Sequence, residues 1–103
     1  MEVRHYRTEA GRSQSEAFLG SLAPKFSVSI AADLALMEKH GDLAPISKRP
    51  VTGYLPLWEL RTGGYRTIFV RVGEVYWVLH ICKKQDEKRG YDTAWKRYQQ
   101  LVR

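Results

Sequence analysis

Three short runs of strand-forming residues, joined by tight glycine-containing turns, constrain the fold of this chain more than any other feature. The runs cover 57–61, 65–72 and 75–84, and the turns between them lie at 62–64 and 73–74. Short glycine turns of this kind join antiparallel neighbours, because glycine readily adopts the positive φ that tight hairpins require. The sequence therefore predicts a three-stranded antiparallel meander in the second half of the chain.

The last of these runs is apolar on both of its faces. One predicted face carries Val75, Trp77, Leu79 and Ile81, and the other carries Tyr76, Val78, His80 and Cys82. A strand with two apolar faces needs packing on both sides of the sheet. We therefore predict that this strand is central and that the sheet is covered, at least in part, on both faces.

The first 41 residues predict one strand and two helices. Residues 3–8 alternate in the manner of a short polar edge strand. Ser13 followed by Glu16 forms a capping-box pattern that starts a helix, and Pro24 marks the break before a second one. The second helix is predicted to end at Gly41. Its apolar face would comprise Phe26, Ile30, Leu34 and Met37.

The ends of the meander are predicted to join an irregular connection and a final helix. The segment 43–56 contains three of the four prolines, which favours an irregular path. After a charged loop at 83–90, Asp92 is the predicted N-cap of a helix with Ala94, Tyr98 and Leu101 on its apolar side. The predicted fold class is α+β in the order β-α-α-β-β-β-α. Two N-terminal helices and a C-terminal helix would pack on a small antiparallel sheet, in one domain over 1–103.

The charge of the chain is concentrated in its second half. The net charge is +6, but residues 1–44 carry five Lys or Arg against six Asp or Glu, whereas 45–103 carry twelve against five. Such an excess favours a polyanionic partner such as nucleic acid, although a solvated basic face would look the same. The single cysteine excludes an internal disulfide, and the three histidines lack ligand spacing, so we predict no metal. No glycine-rich phosphate loop is present, and we predict no cofactor. No apolar run is long enough for a signal peptide or membrane span, which favours the cytoplasm.

The meander carries a family resemblance. The stretch LWELRTGGYRTIF at 57–69, followed by Val78-Leu79-His80 and Lys83-Lys84, resembles the RelE/HigB toxin superfamily and within it the phage-derived, HigB-like branch. The resemblance implies a RelE-like fold and an mRNA interferase, a toxin that enters the ribosomal A site and cuts mRNA. It also implies a cognate antitoxin that holds the toxin inactive, typically with a helix-turn-helix DNA-binding domain.

The resemblance and the chemistry of RNA cleavage together indicate candidate site residues. Cleavage without a metal uses the 2′-hydroxyl as nucleophile, so cations must stabilise the charge that develops on phosphorus while other groups move protons. The candidate catalytic residues are Arg66, Lys83, Lys84, Arg61, Tyr91 and His80. The candidate RNA-binding residues are Lys48, Arg49, Arg71, Lys88 and Arg89. Arg66 is expected to carry an accessible charge at the start of a strand, unless it pairs with Glu59 across the hairpin.

A second function class fits the same pattern. The strand at 57–61 carries Trp58 and Glu59 where the best-known RelE toxins carry lysines, and no clear general base is present. These features favour a non-catalytic RNA- or ribosome-binding phage accessory protein with the same fold. Arg66 and the Lys83-Lys84 pair favour the endoribonuclease.

Overall fold

A five-stranded sheet forms the centre of the structure, a computed structural model that describes all 103 residues. Its strands are β1 (Glu2–His5), β2 (Lys48–Pro50), β3 (Trp58–Thr62), β4 (Tyr65–Val72) and β5 (Val75–Lys83). The order across the sheet is β1-β5-β4-β3-β2. The predicted meander is confirmed, since β3, β4 and β5 pair antiparallel.

The sheet is mixed, which corrects the prediction of a wholly antiparallel one. The first strand is an edge strand, as predicted, but β1 runs parallel to β5. Parallel neighbours need a long connection between them, and the helices and meander that separate β1 from β5 provide it. Part of the segment predicted to be irregular forms the short strand β2 at the opposite edge. An edge strand tolerates Pro50 because its missing N–H is not needed by a second neighbour.

Three helices complete the fold: α1 (Gln14–Ser21), α2 (Pro24–His40) and α3 (Glu87–Leu101). Ser13 caps α1 as predicted, because its hydroxyl accepts a hydrogen bond from the Glu16 backbone N–H at 3.2 Å. Gly41 ends α2 with a φ of 63°, also as predicted. The predicted inward face of α2 is buried except for Phe26, which is exposed. No helix has both the length and the apolar character needed to cross a membrane.

The start of α3 differs from the prediction. The helix begins at Glu87, after a 3₁₀ turn at Lys84–Asp86, so much of the predicted charged loop is helical. Asp92 therefore lies inside α3 and is not its N-cap. Its carboxylate instead accepts a hydrogen bond from the Tyr54 hydroxyl, a tertiary contact that the local sequence does not reveal.

Each face of the sheet packs on its own core. On the α2 side the buried side chains are Ile30, Leu34, Met37, Ala44, Leu60, Phe69, Tyr76, Val78 and Ile81. On the α3 side they are Val51, Leu57, Ile68, Val70, Leu79, Cys82 and Ala94. The prediction of a sheet covered on both faces, with β5 in its interior, is confirmed.

A β-bulge in β5 reverses part of the predicted alternation. Ile68 is opposite His80 but Phe69 is opposite Val78, so Leu79 has no partner in β4. One extra residue exchanges the two faces beyond that point. As a result, Cys82 and not Ile81 lies with Leu79 in the core under α3.

Gly90 allows α3 to approach the sheet closely. A Cβ atom there would lie 2.9 Å from Cys82 Sγ and 3.1 Å from His80 Cδ2, whereas a Cβ at Gly20 in α1 would meet open space. We expect Gly90→Ala to lower the free energy of unfolding by about 1 kcal/mol. Overpacking of about 2 kcal/mol exceeds the gain of about 1 kcal/mol in helix propensity.

Urea denaturation of the two glycine variants checks this prediction. Gly20→Ala is the control, and we expect it to raise the free energy of unfolding by up to about 1 kcal/mol. Opposite signs for the two substitutions would establish that close packing requires Gly90. Equal stabilisation by both would contradict it.

Candidate functional site

A buried carboxylate on β3 gathers four side chains around it. Glu59 is fully buried and accepts hydrogen bonds from Arg61 Nε at 2.9 Å, from Arg49 Nε at 3.1 Å and from the Tyr91 hydroxyl. Arg66 Nε lies 3.7 Å from the same carboxylate. Burial of a charge is tolerated where it is paired and hydrogen-bonded in this way. We refer to these five residues as the Glu59 cluster.

The sheet register and the docking of α3 assemble this cluster. Glu59 and Arg61 are two residues apart on β3, so the pleat directs both side chains to the α3 face. Arg49 is the register partner of Glu59 on β2, and Arg66 is the register partner of Arg61 on β4. Tyr91 reaches Glu59 from α3. Three consecutive strands and the C-terminal helix thus each contribute one side chain or more to the site.

Arg66 is buried, which corrects the expectation of an accessible charge at a strand end. Its side chain is only 6% exposed and its Nε lies 3.3 Å from Glu87 Oε2 on α3. Its Nη1 donates to the carbonyl oxygens of Gly63 at 2.8 Å and Tyr65 at 3.0 Å. The pairing with Glu59 that the hairpin suggested is present, and Glu87 adds a second carboxylate.

The ionisation of the cluster follows from these contacts. Burial alone would raise the pKa of Glu59, but the hydrogen bonds from Tyr91 and Arg61 and the charge of Arg49 outweigh it, so its pKa lies below the usual value. Burial and the Glu59 carboxylate raise the pKa of Tyr91. At neutral pH, Glu59 is therefore ionised and Tyr91 keeps its proton. Glu59 is an acceptor that orients its neighbours.

Two guanidinium groups of the cluster reach the surface. The side chain of Arg49 is 51% exposed and that of Arg61 is 36% exposed. Each uses Nε for Glu59, which leaves its terminal Nη nitrogens available to a ligand. Arg49 and Tyr91 also line a shallow cavity of about 190 Å³. Two guanidinium groups that are held by one carboxylate and reach the surface are suited to bind the oxygens of a phosphate.

The two lysines predicted for the site lie at the end of β5. Both Lys83 and Lys84 are exposed, and neither forms an ion pair with a carboxylate. The Lys84 backbone N–H donates to the carbonyl of Gly64 at 2.8 Å, which ties this end of β5 to the β3–β4 turn. Lys83 is the register partner of Tyr65, one position from the pair formed by Arg66 and Cys82.

Two of the predicted RNA-binding residues lie on the opposite face of the sheet. Lys48 Nζ is 4.8 Å from the centre of the Trp58 ring, which packs against the α2-side core. Arg71 Nη1 pairs with Asp42 at 2.6 Å. The structure therefore separates these two cations from the Glu59 cluster, although Arg49 from the same predicted set belongs to it.

The other predicted residues lie on or beneath α3. Lys88 and Arg89 are exposed in its first turn, and Arg89 pairs with Asp86 at 2.7 Å. His80 forms no hydrogen bond with the cluster, and its Nδ1 accepts one from Arg97 at 3.1 Å. Burial, together with the charge of Arg97, lowers the pKa of His80 to about 4. His80 is therefore neutral at physiological pH.

Sequence reasoning missed Glu87, the second carboxylate beside Arg66. Its only signal is the spacing of four residues to Tyr91, which places both side chains on one side of a helix. That signal requires the helix to begin at Glu87, several residues before its predicted start. The one cysteine takes no part in the site, since burial raises the pKa of the Cys82 thiol to about 11.

The chain resembles known proteins in sequence and in fold. The sequence profile of the family described as "Phage derived protein Gp49-like (DUF891)" matches residues 17–101. Among solved structures, the chain is similar to one in the archaeal RelE-RelB complex from Pyrococcus horikoshii OT3. The TM-score is 0.57 and the identity 20%, over 81% of this chain and 93% of that chain. The likeness shows the predicted RelE-like α+β fold. No curated protein matches the sequence.

Proposed function

The chain belongs to the phage-derived Gp49-like family, and on that premise we propose that it is the toxin of a toxin-antitoxin system, a HigB-like endonuclease that cleaves mRNA on the ribosome. The observation that carries the proposal is the Glu59 cluster, which presents Arg49 and Arg61 at the surface beside Tyr91. The RelE-like fold and the net charge of +6 support it.

The proposed reaction needs no metal ion. The 2′-hydroxyl of the RNA gives its proton to water as its oxygen forms a bond to the adjacent phosphorus. The bond from phosphorus to the 5′-oxygen breaks, and the 5′-oxygen takes up a proton. Negative charge accumulates on the non-bridging oxygens in the transition state. The Nη nitrogens of Arg49 and Arg61 would donate to these oxygens, and one such donor contributes about 10²- to 10³-fold to the rate of comparable reactions.

Glu59 and Arg66 act as positioning residues in this mechanism. Glu59 holds the Nε side of both exposed arginines, so the guanidinium groups need lose little rotamer freedom when a phosphate binds. Arg66, itself held by Glu87 and two backbone carbonyls, balances the charge of Glu59 from within the fold. The cationic groups are thus ordered before the substrate arrives.

The remaining candidate residues would contact RNA around this centre. Lys83 and Lys84 are exposed, unpaired cations at the end of β5 and would bind phosphates next to the scissile one. Tyr91 keeps its proton, so it would donate a hydrogen bond to the departing 5′-oxygen or stack on a base. We assign His80 no proton transfer, because Arg97 engages its Nδ1.

The proposed partner is a protein antitoxin. The similar archaeal structure is a complex of RelE with RelB, which supports a protein partner for this chain as well. We propose an antitoxin with a helix-turn-helix DNA-binding domain, as in HigB-like systems, and action in the cytoplasm on mRNA in the ribosomal A site. We propose that residues 1–103 form a single toxin domain.

Translation in a purified cell-free system tests this function. New mRNA 5′ ends are mapped by primer extension with and without the protein, and with and without ribosomes. We expect new ends only in translated messages. Cuts in RNA without ribosomes would support an endonuclease but would show that its activity does not depend on the ribosome.

One observation favours the alternative of a non-catalytic RNA- or ribosome-binding protein. Glu59 is buried and ionised and His80 is engaged elsewhere, so the cluster holds no accessible group that titrates near neutral pH. The same assay distinguishes the two functions. Association with ribosomes in a sedimentation experiment, without any new 5′ ends, would establish the binding protein and overturn the endonuclease.

A further inference from the structure

The pairing of the arginines reveals a second basic site. Seven of the ten arginines form ion pairs with carboxylates. Arg12, Arg97 and Arg103 do not. Arg103 is the last residue of the chain, whereas Arg12 and Arg97 are 85 positions apart and line the same cavity. Arg12 and Arg97 thus lie at one cavity without a carboxylate partner, and neither belongs to the Glu59 cluster.

The cavity that they line is of nucleotide size, and most of its accessible lining is apolar apart from the polar groups named below. Its volume is about 440 Å³ and no carboxylate lines it. The polar side chains around it belong to Tyr6, Thr8, Arg12, Ser13, Gln14 and Arg97. Because two guanidinium groups and several hydroxyl groups line it with no acidic residue among them, the cavity is complementary to an anion.

Backbone contacts build this cavity at the edge of β5 beyond the end of β1. The Tyr6 N–H donates to the carbonyl of Val78 at 2.8 Å, after which the chain leaves the sheet. Beyond that point the Gln14 side chain hydrogen-bonds the backbone of β5 as a neighbouring strand would. Its amide donates to the Ile81 carbonyl at 2.8 Å and accepts from the Ile81 N–H at 3.1 Å. Hydrogen bonds to β5 therefore fix the positions of Tyr6 and Gln14, two of the residues that line the cavity.

Arg97 is held in place entirely by neutral groups. Its Nη1 donates to the Leu79 carbonyl at 2.7 Å and to His80 Nδ1 at 3.1 Å, and its guanidinium carbon lies 6.0 Å from the centre of the Tyr6 ring. Burial lowers the pKa of Arg97, since none of these partners offsets the cost of burying the charge. A bound anion would supply the missing counter-charge.

We propose that this cavity binds a phosphate group of a single RNA strand. A phosphate offers several oxygens to Arg12, Arg97 and the hydroxyl groups at once. An acidic peptide segment would meet the same two arginines, and the binding test below makes it the competing outcome. The inference rests on the proposed function only in taking RNA as the partner, and it does not require cleavage.

The position of the cavity suits a strand that also reaches the candidate active site. Ile81, which the Gln14 side chain covers, is two residues before Lys83 on β5. Two residues of a strand span roughly 7 Å, a distance comparable to the separation of neighbouring phosphates in an extended strand. The exposed Lys83 and Lys84 would bridge the cavity and the Glu59 cluster.

Binding of a 12-nucleotide all-deoxy strand to the full chain, followed by fluorescence anisotropy, tests the proposal. This probe keeps the phosphates but has no 2′-hydroxyl, so the result is independent of nuclease activity. Arg12→Gln is expected to weaken binding about tenfold and to reduce the slope of log K against log salt by about 0.7, the value for one phosphate contact on a single strand. Arg103→Gln, which also removes an arginine without a carboxylate partner, is the matched control.

The comparison of these two variants decides the proposal. The side chain of Arg12 is exposed, so Arg12→Gln should fold normally; Arg97→Gln adds a second test once circular dichroism shows that it is folded. Equal binding by Arg12→Gln and Arg103→Gln would overturn the phosphate site. Displacement of the strand by a 12-residue polyglutamate, equally dependent on Arg12, would overturn it in favour of an acidic peptide.

Discussion

Replacement of Glu59 by glutamine is expected to lower the free energy of unfolding by about 3 kcal/mol. Glu59 is fully buried and is the shared partner of Arg49, Arg61 and Arg66. The amide keeps the shape of the side chain but cannot balance the charges. Arg49 and Arg61 can turn to solvent, whereas Arg66 remains buried with Glu87 as its one remaining carboxylate.

Urea denaturation at pH 7 measures this effect against a carboxylate of the same type at the surface. Glu74 is exposed and has one distant contact, 3.9 Å from Arg71. We expect Glu74→Gln to change the free energy of unfolding by less than about 0.5 kcal/mol. A loss for Glu59→Gln no larger than that would show that the buried ion pairs contribute little to stability.

Acidification should remove the difference between wild type and Glu59→Gln. The pKa of Glu59 in the folded protein lies below its usual value, so its stabilisation is complete above the ordinary carboxyl pKa of about 4.3 and is lost as the pH falls through the folded value. Contacts also lower the pKa values of Asp42 and Glu2, which both proteins share. The difference in free energy of unfolding between wild type and Glu59→Gln therefore reports on Glu59 alone. A difference that stays constant down to pH 2 would contradict the lowered pKa of Glu59.

Replacement of Arg61 by glutamine is expected to reduce mRNA cleavage at least about 100-fold. The Nε of Arg61 pairs with Glu59 while its Nη nitrogens face solvent, where they would bind the charged oxygens of the transition state. Arg61→Lys should lose nearly as much activity. One ammonium group cannot pair with Glu59 through one edge and present a second, planar edge to a phosphate.

The initial rate of appearance of new 5′ ends in the cell-free translation assay measures this loss. Arg103→Gln serves as the control for removal of one positive charge and is expected to cleave at the wild-type rate. Circular dichroism must show that each variant is folded. Wild-type cleavage by a folded Arg61→Gln would overturn the assignment of transition-state phosphate binding to Arg61.

Most of the fold could be predicted because its signals are local. The glycine turns at 62–64 and 73–74, the cap at Ser13 and the end of α2 at Gly41 each depend on residues a few positions apart. The apolar face of α2 and the two-sided β5 follow from simple periodicities. The failures have tertiary causes, because neither the direction of β1 nor the bulge at Leu79 has a local signature.

The candidate site could be predicted only in part, for the same reason. The sequence by itself predicted a basic second half and a meander with a RelE-like pattern, with Arg61, Lys83 and Lys84 among the candidate catalytic residues and Arg49 among the candidate RNA-binding residues. Only the tertiary structure decided that Arg66 is buried, that Glu59 orders the arginines and that Tyr91 and Glu87 reach them from α3. Such roles arise where strand register and helix docking bring together residues that are separated along the chain, up to 32 positions for Glu59 and Tyr91. No local pattern contains the position of a charge on another element.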